Sequence, residues 1–265
     1  MSFRRMSAVM LRYIYLIRGS FSRVFPLFAW VAIDMVLWGY LTRYLNTMTT
    51  ANFVPTLLGA VLLWDFFIRV MQGVTMIFFE DVWTRNFLNV FSTPISIGEY
   101  VGGLVISSIA TSAVGLVVMF ALASPIFGFS FAAYGVMSIP FLLVLFLFGI
   151  AMGILGCALV LRLGPAAEWF IWPIPAFISP FVGVFYPVAT LPLWMRGIAR
   201  VLPPSYVFES LRSLVLGKGV ALTHLGWAAG LALLYLLLAC WVFRTIFRRA
   251  VRTGLIARYS AESVS

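Results

Sequence analysis

Three charges stand inside apolar runs, where an ionised group is costly: Asp34, and Asp65 with Arg69 one helical turn after it. Two kinds of chemistry fit that spacing. Two carboxylates and a guanidinium at similar depth can relay protons or line a wet translocation path. They can equally form an ion pair that clips two helices together, one arginine serving both acids. Glu209 and Arg212, three residues apart, offer the same choice between a local tie and a gate. A third set, Glu80, Asp81, Trp83, Arg85, Phe87 and Asn89, lies in a polar-containing interruption between two apolar runs, where it can face a partner.

Chemistry beyond this finds few groups to use. His224 is the sole histidine, and Cys157 and Cys240 both sit within apolar runs as small packing residues, so no metal or haem set can be assembled. No Ser–His–acid arrangement is present. Gly217-Lys218 has Arg212 where a phosphate-binding loop needs glycine, and no Ser or Thr follows the lysine. No catalytic, cofactor-binding or metal-binding residue is therefore assigned. An intramembrane enzyme built on Glu209 or Asp65 would find the inventory of nucleophiles and metal ligands almost empty. Energy must come from a partner or an ion gradient.

The elements that position these residues are membrane helices. Of 265 residues, 63% are hydrophobic and only 10% charged, with mean hydropathy +1.07, whereas a soluble domain has about a quarter of its residues charged. The apolar runs are continuous rather than alternating, which excludes a sheet barrel. The expected fold is an all-α polytopic membrane protein. The net charge of +10 is almost entirely arginine and points to topology and anionic lipid rather than nucleic acid.

Residues 1–23 read as an amphipathic helix on the membrane surface rather than a secretory signal. Phe3, Met6, Met10, Tyr13, Ile14, Ile17 and Phe21 share one face, and Arg4, Arg5, Arg12, Arg18 and Arg23 lie opposite. Residues 24–265 read as one domain of six spans, at about 24–41, 53–79, 100–123, 136–161, 167–186 and 222–243. Between the second and third, residues 80–91 predict a short amphipathic helix with Trp83, Phe87, Val90 and Phe91 buried. Asp81, Arg85, Asn86 and Asn89 are on its free side. It is either an ordinary interfacial helix or a place where motion is handed to the membrane domain. Thr93-Pro94 and a Ser96–Glu99 capping box both signal the next helix start.

Small-residue stripes, Gly103/Ser107/Thr111/Gly115 and Gly149/Gly153/Cys157, predict close helix packing, as does Gly226-xxx-Gly230. Eight prolines between Pro165 and Pro204 require the fifth span to be kinked or broken. Residues 188–219 are too interrupted to cross and predict a re-entrant hairpin of two helices, about 193–202 and 205–216. Trp30, Trp38, Trp64, Phe66 and Phe67 are lipid anchors or path-lining groups. With six spans, twelve Arg and Lys fall on the side of the termini and five on the other. Both termini and residues 80–91 are then cytoplasmic, and the hairpin is external.

Two runs carry a family resemblance. One is Glu80 … Phe91-Ser92-Thr93-Pro94-Ile95-Ser96 … Glu99. The other is Tyr186-Pro187 … Leu191-Pro192 … Leu202-Pro203-Pro204-Ser205-Tyr206 … Glu209 … Arg212. In order and spacing the whole chain resembles the permease subunits of type-2 ABC transporters, six-span exporters of drugs, lipo-oligosaccharides and polysaccharides. The resemblance implies that residues 80–91 are the coupling helix that docks on a cytoplasmic ABC ATPase, that residues 1–23 are the interfacial gating helix, and that the hairpin matches the family's re-entrant helices. It further implies a permease dimer, here a homodimer, with ATP and Mg on the ATPase partner and no cofactor on this chain. Many relatives carry a denser Glu-Arg-Glu-Arg-Gly-Thr run where this chain has the more neutral Arg85-Asn86-Phe87-Leu88-Asn89. The expected function is the permease half of an exporter of an amphiphilic substrate across the cytoplasmic membrane. A non-transporting assembly or scaffold subunit is the alternative.

Overall fold

The computed structural model describes residues 2–48 and 54–254. Residue 53, Arg258 and the rest of the C-terminal tail lie outside the described residues, as do the side chains of Ile17, Phe21 and Arg23. Of the described residues 86% are helical, and no strand occurs among them. In order the helices are α1 (Phe3–Arg18), α2 (Phe21–Met48), α3 (Gly59–Trp83), α4 (Phe87–Phe91), α5 (Ile97–Phe127), α6 (Ser138–Leu163), α7 (Glu168–Ile171), α8 (Ile174–Val182), α9 (Leu193–Val201), α10 (Pro203–Val215) and α11 (Leu222–Arg252). Four stretches of the described residues are long and apolar enough to cross a membrane: Val54–Trp83, Ile97–Phe127, Tyr134–Leu163 and Leu222–Arg252.

The bundle is built around α3, most of whose residues are buried. It packs on α5 and α6; α11 packs on α6, and α1 and α2 on α5. The small-residue stripes explain the close approach. A Cβ on Gly149 would stand 2.9 Å from the Val70 Cβ, and one on Gly153 would stand 2.9 Å from the Met71 carbonyl oxygen. On the α5 side, Ser108 Oγ donates to the Val70 carbonyl at 2.8 Å. A hydrogen bond between helices is useful where no water competes for it. Trp64, Phe66 and Phe67 belong to this core and are not lipid anchors, while Trp30 is exposed and Trp38 stacks on Phe185 with ring centroids 4.6 Å apart. Cys157 is buried as expected, but Cys240 is exposed on α11.

The first turn before α3 is a π-helix, Val54–Leu58. The wider turn frees a carbonyl, and the Tyr134 hydroxyl donates to the Pro55 oxygen there. The capping box forms as read: Ser96 Oγ accepts from Glu99 N–H while the Glu99 carboxylate accepts from Ser96 N–H. This cap decides where α5 begins, so Thr93-Pro94 does not start the helix; Thr93 Oγ1 instead donates to the Val90 carbonyl. The proline-rich fifth segment is broken into α7 and α8, with Trp172 and Pro173 between them. Residues 188–219 form the two-helix hairpin, α9 and α10.

Gly226 and Gly230 face open space, because α11 meets the bundle through Leu225, Ala228, Ala232 and Ala239. The two glycine motifs therefore separate in experiment. Gly153→Leu is expected to destabilise by about 1–3 kcal/mol through overpacking against α3, while Gly226→Leu leaves stability within about 0.5 kcal/mol of the parent. Thermal or denaturant unfolding of the purified protein in detergent measures both.

Candidate functional site

The predicted 80–91 helix is not one helix. Glu80 to Trp83 complete the last turn of α3, a reversal follows, and only Phe87–Phe91 form the separate α4. The reversal is a C-terminal motif normally made with glycine. Arg85 N–H donates to the Val82 carbonyl at 3.1 Å and Asn86 N–H to the Asp81 carbonyl at 2.9 Å. This requires a left-handed residue at position 85, and Arg85 has φ of 55°. Thr84 Oγ1 also caps the Glu80 carbonyl at 2.6 Å.

The change of geometry redistributes the residues read as one amphipathic surface. Asp81 is buried, not on the free side. Its Oδ2 accepts from Arg12 Nη2 at 2.6 Å and from the Tyr100 hydroxyl at 2.7 Å. Continuing α3 for another turn carries Asp81 inward, between α1 and α5. Glu80 is buried as well, and Phe87 lies in the core against Phe78 at a centroid distance of 5.1 Å. Trp83, expected to be buried, is exposed and donates its indole N–H to Glu168 Oε2 at 2.8 Å, tying the end of α3 to α7. The side chains left at the surface are Trp83, Thr84, Arg85 and Asn89, followed by Ser92, Thr93 and Pro94.

Helix α1 is fastened to this turn at two points. Arg12 reaches Asp81; Arg5 donates to the Pro94 carbonyl and, at 3.3 Å, to Glu99 Oε2, whose Oε1 accepts from Ser2 N–H at 2.7 Å. Between them Met6 and Val9 fill the space left by Gly102 and Gly103. The structure adds to the periodicity reading that Arg5 and Arg12 bond to the protein, while Phe3 and Ile14 are exposed. Arg5 and Arg12 were legible only as members of an arginine face, and Tyr100 carried no signal at all.

The other two charge sets are also positioned. Asp34 on α2 lies within electrostatic reach of Asp65 and Arg69 on α3. Asp65 Oδ2 is buried with no hydrogen-bond partner among the described residues, and the Arg69 chain lies over Gly115. Glu209 and Arg212 are a local tie. Glu209 Oε1 accepts from Val188 N–H at 2.7 Å and from Arg212 at 3.1 Å, while Arg212 also donates to the Gly183 and Tyr186 carbonyls. The pair closes the turn from α8 onto α10. No group of three or more metal-ligating side chains occurs among the described residues.

The order of these elements, from the α1 latch through the 84–96 turn to the hairpin, coincides with a match to the ABC-2 type transporter family over residues 10–216. The chain belongs to the ABC-2 type transporter family. It is a multi-pass membrane protein, the transmembrane component of an ABC transporter and not its ATPase, and membership implies an ABC ATPase as partner. No curated protein matches the chain.

The latch of this ABC-2 permease gives an asymmetric prediction. The Asp81 side chain is 2% exposed and that of Arg12 is 29% exposed. Arg12→Met strands a buried carboxylate, whereas Asp81→Leu leaves a cation that can still reach water. Arg12→Met should therefore cost about 2–4 kcal/mol, less than a fully buried pair because Arg12 is partly solvated. The double variant Arg12→Met/Asp81→Leu should recover at least half of that loss. Unfolding of the three variants, read as a double-mutant cycle, measures the coupling.

Proposed function

We propose that this permease is the transmembrane half of an ATP-driven exporter, moving an amphiphilic substrate of the drug, lipid or glycoconjugate class outward across the cytoplasmic membrane. It works as a homodimer with two copies of a separate ABC ATPase that carries ATP and Mg. The six-span arrangement has both termini cytoplasmic, and the broken α7–α8 segment serves as the fifth span. The excess of arginine on the side of the termini supports this orientation.

The observation that carries the coupling role is the rigid seat of the 84–96 turn. Its exposed rim carries Arg85 on a strained backbone, while the described side chains beneath the rim are packed or hydrogen-bonded. Phe87 abuts Phe78 of α3, Phe91 abuts Tyr100 of α5 and Phe247 of α11, and Asp81 is tied to α1. A push on the rim by a closing ATPase pair therefore moves α3, α5, α11 and α1 together rather than deforming a loop. Such a push shifts the balance between two rigid arrangements of the permease halves. Asp34, Asp65 and Arg69 act in this reading as a structural clip between α2 and α3, because the arginine attracts two carboxylates that repel one another.

Arg85 separates coupling from folding. Arg85→Gly relieves a left-handed arginine and should raise stability by about 1 kcal/mol, yet it removes the only positive charge on the rim. Arg85→Glu reverses that charge at an exposed site, worth about 1 kcal/mol or less. Both variants should bind the co-expressed ATPase several-fold more weakly and lose substrate-stimulated hydrolysis. Parental ATPase binding and hydrolysis in both would sink the coupling role. Orientation is tested separately. In a cysteine-free background, a cysteine at Lys218 should react with an impermeant thiol reagent outside intact cells, and one at Asn89 should not.

A further inference from the structure

At the end of the bundle opposite the 84–96 turn, a cavity of about 420 Å³ opens between the α9–α10 hairpin and the first turn of α11. The two sites are separated by the length of α11. This helix starts beside the cavity at Leu222 and passes Phe91 at Phe247, a distance of about 37 Å.

The cavity wall is basic and rich in hydroxyls. Arg200, Lys218 and His224 line it, together with Tyr206, Ser210 and Ser213. Glu209 also lines it, but its carboxylate is already engaged by Arg212 and the Val188 N–H. The cations are not engaged in this way: among the described residues neither Arg200 nor Lys218 has a carboxylate partner. Ser210 is only 4% exposed, yet among the described residues its hydroxyl has no hydrogen-bond partner, and it lines the cavity. A buried hydroxyl in that position lacks a partner that a ligand oxygen can supply. Helix α11 begins at the same place with Ala221 as its N-cap, so no side chain caps its first N–H groups. All these features favour one kind of ligand. Two cations without a carboxylate partner, an uncapped helix start and the Ser210 hydroxyl together are complementary to an oxyanion with several acceptor atoms.

We propose that this cavity binds a phosphate-type anionic headgroup at the membrane face opposite the ATPase-coupling turn. Arg200 and Lys218 supply the charge, and Ser210, with Ser213, donates hydroxyl hydrogen bonds to the same oxygens. His224, whose ring meets the Tyr206 ring edge-on at 6.2 Å, closes one side. The site needs neither the ATPase nor transport to be occupied. It does not depend on which direction substrate moves.

The test uses the full chain purified in detergent and isothermal titration with two probes, dihexanoyl phosphatidic acid and inorganic phosphate. Dihexanoyl phosphatidylcholine serves as the zwitterionic control. Saturable binding of phosphatidic acid well above that of phosphatidylcholine is expected, falling at least tenfold in Lys218→Met and in Arg200→Met. Ser210→Ala should reduce it several-fold. Lys218 lies on the exposed Gly217–Gly219 loop, so its variant should fold as the parent does; Arg43→Gln, a cation on α2 away from the cavity, should bind as the parent does. Equal affinity for inorganic phosphate would assign the site to a free anion rather than a lipid, with the recognition chemistry upheld. Equal binding of phosphatidylcholine, absence of saturable binding by either phosphate probe, or unchanged affinity in both cation variants would overturn the proposal.

Discussion

A carboxylate withdrawn from water needs partners, and at Asp81 those partners come from two other helices. The guanidinium of Arg12 arrives from α1 and the phenol of Tyr100 from α5, both on the same oxygen. Because the three groups satisfy one another, the end of α3, the start of α5 and the surface helix cannot be rearranged separately. The aromatic stack from Phe78 through Phe87 and Phe91 to Phe247 extends the same fastening to α11. What remains outside is a thin rim of polar groups with little freedom of its own.

The rim sits on an unusual reversal. The motif that ends α3 favours glycine, since a side chain in the left-handed region costs about 1 kcal/mol, and this chain has arginine there. Arg85 gives up local comfort and keeps a positive charge at an exposed point of the turn. Strain by itself proves no role. Here it accompanies a rim whose neighbours Asp81, Phe87 and Phe91 are held by other helices.

Much of the architecture was legible in the sequence because the bilayer leaves so few solutions. Continuous apolar length located the long helices, the Ser96–Glu99 pair located the start of α5, and the prolines located the broken segment. The glycine stripes of α5 and α6 were legible as packing because only a missing Cβ permits such approach. The turn after α3 was misread for a definite reason. Periodicity places Asp81 on a polar face only if a new helix begins at Glu80; when α3 simply continues, the same residue points inward. No pattern within residues 80–91 announces that choice. The deciding partners, Arg12 and Tyr100, lie 69 residues before and 19 after Asp81. The role of Gly226 and Gly230 escaped for a related reason, since a motif shows that a helix can be approached closely but not which side its neighbours occupy.

Helix α11 has 31 residues and would measure about 46 Å, well over the roughly 30 Å of a hydrocarbon core. After Gly230 it contains neither glycine nor proline as far as Arg252, so nothing along that length invites a hinge. Mechanically that length is a strut, with Phe247 near its far end and the turn that carries His224 joined to it through Gly226 and Gly230. A strut transmits displacement in both directions. Whatever tilts its lower end against Phe91 must also change the spacing between His224 and the hairpin, and by thermodynamic reciprocity a load at the hairpin end biases the aromatic stack equally.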